Sequence, residues 1–132
     1  MKKHEDTDTF HFYNANPKGL RTSDCVVRAL SLATGRTWDT VMYDLNQYAF
    51  KMKMIPNEEK LYKKYLKDNG WMICPQPRKL GGKKFTGKDF VRTIGRNGEL
   101  IVHIGCGHIA CVKDGKIWDT WDCSVGNYWV KI

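Results

Sequence analysis

The chain lacks any C-x-x-C pair: its five cysteines stand alone at positions 25, 74, 106, 111 and 123. Five unpaired thiols argue against a disulfide framework and against a zinc knuckle, and they suit a reducing, cytoplasmic setting. No apolar run approaches the roughly 20 residues of a membrane span, so no membrane partner is expected. Met1-Lys2-Lys3-His4-Glu5-Asp6 is not followed by an apolar stretch and does not read as a signal peptide. No repeat recurs and no linker divides the chain. Acidic residues are the scarce class, 14 against 22 lysines and arginines, for a formal net charge of +8. Basic residues crowd between Lys51 and Arg96, and the Pro/Gly-rich loop from Arg78 to Lys84 would attract acidic partners, nucleic acid included. A solvated basic face is the simpler reading of that loop.

What is present describes one domain over residues 1–132, with 1–8 polar and loose. A hydrophobic share of 42% and an aromatic share of 12% belong to a globular protein, long enough to bury about two-thirds of its unfolded surface.

The most informative stretch is Thr22-Ser23-Asp24-Cys25 running into Val26-Val27-Arg28-Ala29-Leu30-Ser31-Leu32-Ala33-Thr34-Gly35. Ser23 or Asp24 can cap a helix start, and Gly35 can end the helix in a left-handed conformation. Between them nearly every residue is apolar or small, which predicts a helix buried on most of its circumference. Cys25 then lies in its first turn, where uncapped N–H groups and the helix dipole favour a thiolate. A small gap-filling core residue is the plain alternative.

Upstream, Phe10, Phe12 and Tyr13 suggest a short extended segment before the turn-rich Asn14-Ala15-Asn16-Pro17-Lys18-Gly19. Downstream, Thr37 caps a helix from Trp38 to about Met52, with Trp38, Val41, Met42, Leu45, Tyr48 and Ala49 on one side. A third helix begins near Pro56-Asn57, carries Leu61, Tyr62, Tyr65 and Leu66, and closes at Gly70. Trp71 to Cys74 reads as a strand. Thr86 with Asp89 resembles a capping box ahead of a short helix through Phe90, Val91 and Ile94. Strands follow at Leu100–Ile104, His108–Lys113, Lys116–Trp121 and Tyr128–Ile132. Helices first and an antiparallel sheet second make the class α+β.

A nucleophilic cysteine needs a base, and the base needs an orienting group. Of four histidines, His4 sits in the tail, His11 precedes the turn region and His103 reads as a satisfied strand histidine. His108 opens a strand after the small residues Gly105-Cys106-Gly107, which leave room for a substrate. Asp114-Gly115 is a strong hairpin signal. A two-residue turn there pairs Lys113 with Lys116, Ala110 with Asp119 and His108 with Trp121. His108, Asp119 and Trp121 then share a face, with Asp119 the diagonal neighbour of His108 and Asp122 turned away. A Cys25–His108–Asp119 triad follows from that register. Cys106, His108, Cys111 and Cys123 raise a metal alternative, but alternation sets Cys111 on the opposite face from His108, so no metal is expected.

The order of these elements, with Asp24-Cys25, Gly107-His108-Ile109-Ala110 and Trp118-Asp119, resembles papain-like cysteine peptidases, and within them the bacteriocin-processing peptidase domains of ABC exporters. Asn14-Ala15-Asn16-Pro17-Lys18-Gly19 through Asp24-Cys25-Val26-Val27-Arg28-Ala29, with Ala33-Thr34-Gly35 and Trp38, resembles small proteins of phages and prophages of Gram-positive bacteria over nearly the whole chain. The resemblance implies a papain-like fold, with the buried nucleophile helix packed on the C-terminal sheet. It further implies a cytoplasmic thiol hydrolase of peptide or isopeptide bonds, without cofactor, acting on a peptide or protein. Papain-like peptidases carry an oxyanion-donating glutamine six residues before the nucleophile, where Gly19 stands here. Asn16 or Asn14 is then the expected amide donor, with Asp24 and Trp121 beside the substrate. Two alternatives stay open: a papain-like binding module, as in a phage factor gripping a host protein or nucleic acid, and a cell-wall amidase of the NlpC/P60 type, which shares the Asp-Cys and Gly-His starts.

Overall fold

A computed structural model describes residues 6–72, 74, 80–82, 87–92, 99–104, 108–122 and 130–131. A short strand, β1 (Phe10–Phe12), precedes four helices, α1 (Cys25–Thr34), α2 (Trp38–Met52), α3 (Glu59–Asp68) and α4 (Gly87–Arg92). Four strands follow: β2 (Glu99–Ile104), β3 (His108–Lys113), β4 (Lys116–Asp119) and the two-residue β5 (Val130–Lys131). The class is α+β, as the sequence pattern implies.

Local chemistry sets the helix bounds. Gly35 ends α1 at φ 74°, its N–H bonded to the Ser31 carbonyl. Thr37 caps α2 by accepting from the Thr40 N–H at 3.1 Å. Asp24 occupies the N-cap position of α1, but its side chain makes no cap hydrogen bond. Stronger donors have captured that carboxylate, as shown below.

The five strands are ordered β1-β4-β3-β2-β5. The sheet is mixed rather than antiparallel, because β1 pairs in parallel with β4, Phe12 opposite Asp119. The β3–β4 hairpin has the expected register, with Lys113 opposite Lys116 and Cys111 opposite Trp118. Its two turn residues carry positive φ, 52° at Asp114 and 76° at Gly115, the backbone twist that a two-residue hairpin demands. Two strand expectations need correcting. Strand β4 ends at Asp119 rather than Trp121, because the Thr120 N–H turns back onto the Asp119 side chain at 2.7 Å. Trp71, Met72 and Cys74 belong to no strand. The Trp71 N–H is drawn to the Leu66 carbonyl at the end of α3 instead. Thr86, Ile94 and Tyr128 lie outside the described residues.

Strand alternation sorts the core onto both faces of the sheet. Ile101, Ile109 and Cys111 pack among Leu30 of α1, Val41 and Leu45 of α2, and Leu61 and Tyr65 of α3. Val102, Ala110, Val112 and Ile117 face the other way, onto Phe90 and Val91 of α4. Strand β3 is therefore buried on both sides, and α1 is held against it. That contact fixes where the first residue of the helix meets the first residue of the strand.

Candidate functional site

Cys25 opens α1 and His108 opens β3, and the two side chains are hydrogen-bonded. Burial would push the Cys25 thiol up, but His108, the Ile109 backbone N–H and the positive charges of His108 and Arg28 outweigh it and hold the thiol below its ordinary value. Cys111 shows the contrast. Buried among apolar side chains, its thiol is pushed up to about 12. Cys25 is thus chemically distinct within one molecule. Because Asp24 does not cap α1, the first-turn N–H groups are also left without a side-chain partner beside that sulfur.

The far side of the imidazole meets Asp119. His108 Nε2 lies 2.5 Å from Asp119 Oδ2, leaving Nδ1 as the nitrogen for the thiol. Asp119 is 2% exposed, and burial alone would keep it protonated. Hydrogen bonds from His108, Arg28 and the Thr120 N–H, with the charge of His108, hold its carboxyl below the usual range instead. Trp121 stacks its ring obliquely on His108, centroids 4.9 Å apart, and limits where the imidazole can swing.

Two further residues complete the arrangement, and sequence reasoning assigned neither of them this part. Arg28 sits one turn beyond Cys25 and is buried. Its Nε donates to Asp24 Oδ1 at 2.8 Å and its Nη1 to Asp119 Oδ1 at 2.6 Å. Trp38, at the start of α2, donates its indole N–H to Asp24 Oδ2 at 3.0 Å. Asn16 donates its amide to the same oxygen at 3.1 Å. Burial would raise the Asp24 carboxyl, but these three donors hold it below its usual range.

These contacts revise the parts expected of Asn16, Asn14 and Asp24. The side-chain carbonyl of Asn16 accepts from the Lys18 N–H at 2.9 Å while its NH2 serves Asp24, so it organises the loop ahead of Cys25. The Asn14 amide donates to the Leu20 carbonyl at 3.0 Å. Asp24 is 6% exposed and faces its three donors, so it supports α1 from within. Gly19, where a glutamine was expected, takes φ 66° in the same loop and closes a turn onto Asn16.

A cavity of about 400 Å³ opens over Cys25 and His108, walled by Arg21, Thr22, Arg28, Asn57 and Trp121 among others. Asn57, ahead of α3, donates to the Ser23 carbonyl at 3.2 Å and braces the loop that enters α1. No carboxylate lines this cavity among the described residues. Away from it, His103 is hydrogen-bonded to the Tyr62 hydroxyl, and His11 binds Asp6 at 2.6 Å. His4, Cys106, Cys123 and the basic residues Arg78, Lys79, Lys83 and Lys84 lie outside the described residues. No helix among the described residues is long and apolar enough to cross a membrane, and no cluster of three metal-ligating side chains occurs among them.

The paired carboxylates carry a prediction for stability. Both have folded-state values below their unfolded ones, so their contribution is complete above the ordinary carboxyl range and is lost as pH falls through it. The urea midpoint of unfolding is expected to hold near neutral pH and to drop steeply from about pH 5 downward. A midpoint unchanged between pH 6 and 3 would contradict this account of Asp24 and Asp119.

Comparison with protein-family models, with curated proteins and with solved structures finds no match to this chain.

Proposed function

We propose that the chain is a papain-like thiol hydrolase of peptide or isopeptide bonds, acting inside the cell through Cys25, His108 and Asp119. The observation that supports it most is the single imidazole hydrogen-bonded to a depressed thiol on one side and to a buried carboxylate on the other. In this reading the Cys25 thiolate attacks the scissile carbonyl carbon and the π electrons move onto oxygen. The oxyanion is met by N–H groups at the start of α1, which the diversion of Asp24 leaves uncapped. Collapse breaks the C–N bond, and protonated His108 gives its proton to the leaving amine. Water then attacks the thioester, His108 takes a proton from it, and the carboxylic acid departs as the Cys25 sulfur is released. Throughout, Asp119 holds the ring and stabilises its cation.

Selective alkylation tests the first requirement. With limiting iodoacetamide at pH 6.5, Cys25 is expected to react about tenfold or more faster than Cys74 or Cys111, since each unit by which a thiol is lowered exposes about tenfold more thiolate. Peptide mapping reads the result, and equal labelling of all the cysteines would overturn the nucleophile. A binding module on the same scaffold is the second reading, favoured by the engagement of Asn14 and Asn16 away from the cavity. It predicts a reactive Cys25 that releases no product from any acyl substrate.

A further inference from the structure

One guanidinium serves two buried carboxylates at this site. Arg28 Nε binds Asp24 at 2.8 Å and Arg28 Nη1 binds Asp119 at 2.6 Å. The division of Asp119 is informative. Its Oδ1 accepts from both Arg28 and the Thr120 N–H, while Oδ2 is left to His108. A carboxylate free to turn about its own bond would exchange those oxygens; one held by a charged donor on Oδ1 cannot. The guanidinium is fixed from its other end as well, because Asp24 is itself bound by Asn16 and Trp38.

We infer that Arg28 is the positioning residue of the triad: from the nucleophile's own helix it holds Asp119 turned so that Oδ2 faces His108. The inference rests on the thiol-hydrolase reading and adds to it a fourth residue that acts through Asp119. Without the guanidinium Asp119 would lose the charged donor on its Oδ1, and its ionised form would be less favoured in the buried site. A protonated Asp119 would no longer stabilise an imidazolium, and the Cys25 thiolate would lose its counter-ion. The charged groups that face one another here are Asp24, Cys25 and Arg28 from α1 and its cap, His108 from β3, and Asp119 from β4. Lysine could not replace the arginine fully, since a single ammonium lacks the planar fork that reaches both carboxylates.

The test is the pH profile of Cys25 alkylation in the wild type and in Arg28→Gln, Arg28→Lys and the double variant Asp24→Asn/Arg28→Gln. Arg28→Gln is expected to move the profile to higher pH and to slow alkylation at pH 6.5 by about tenfold, a rise of one unit in the thiol. Arg28→Lys should recover part of that loss. The double variant removes the stranded Asp24 charge, so it should regain thermal stability while keeping the shifted profile. A purely structural arginine would give the opposite, a profile restored together with stability, and that result would overturn the inference. A wild-type profile in folded Arg28→Gln would overturn it too. Should neither glutamine variant fold, wild type against Arg28→Lys decides: a profile moved to higher pH supports the inference, and an unchanged profile overturns it. An ordinary profile in the wild type would instead overturn the hydrolase reading itself.

Discussion

Replacing His108 with alanine is expected to move the pH profile of Cys25 alkylation upward and to slow the reaction at pH 6.5 by about tenfold for each unit of that rise. Without the imidazole, burial is the largest influence left on the thiol, and burial favours the neutral form. An ordinary thiol, near about 8.5, is only about 1% ionised two units below that value, so little thiolate remains at pH 6.5 without the imidazole. Asp119→Ala should follow the same direction with a smaller step, since the imidazole stays but its cation loses its partner. Asp122→Ala should leave the profile in place. The measurement is the rate of Cys25 alkylation from pH 5 to 9 in all three variants. A shift with Asp122→Ala and none with Asp119→Ala would mean that the wrong carboxylate has been assigned. A wild-type rate in His108→Ala would remove the histidine from the site altogether.

Leu30→Ala is expected to be the most damaging single truncation outside the site. Leu30 is 0% exposed and lies where α1 packs onto the sheet, beside Ile101 and Ile109 in the same cluster. Leucine-to-alanine changes in such places cost about 2–5 kcal/mol, the lost burial plus the cavity left behind. For a domain of this size that corresponds to a fall of roughly 10 °C or more in Tm. Phe50 on α2 is 75% exposed, and Phe50→Ala should change stability by no more than about 0.5 kcal/mol. Thermal unfolding followed by circular dichroism compares the two. Equal effects would mean that α1 is not the seat of the core described here.

The parts of this architecture that were legible in the sequence are those decided by neighbours along the chain. Asp114-Gly115 specifies its own turn, and counting back from it gives the register that sets His108 diagonal to Asp119. Thr37 and the spacing of Val41 and Leu45 specify α2 over its full length. What stayed hidden is decided by residues far apart. Arg28 reads locally as a polar interruption in an apolar helix. The available hint was its position four residues after Asp24, but nothing near it points to Asp119, 91 residues further on. Asn16 carries the amide that an oxyanion site would use, and only the folded loop shows that amide committed to Asp24. The strand expected after Trp71 failed because a β-like composition cannot say whether a partner strand lies alongside. The parallel pairing of β1 with β4 is of the same kind, since its two members are among the first and last elements of the chain.

The division of the site along the chain also sets when it can exist during synthesis. The segment carrying Cys25 and Arg28 leaves the ribosome before the hairpin, and Asp119 is translated 91 residues after Arg28. At translation rates of about 5–20 residues per second, roughly 5–20 s separate the two. Until the β3–β4 hairpin is made, the nascent chain holds Cys25 with neither His108 nor Asp119 behind it, hence an ordinary thiol. The surroundings that lower the Cys25 thiol form only when the β3–β4 hairpin docks against α1 and β1 closes over the outer edge of β4.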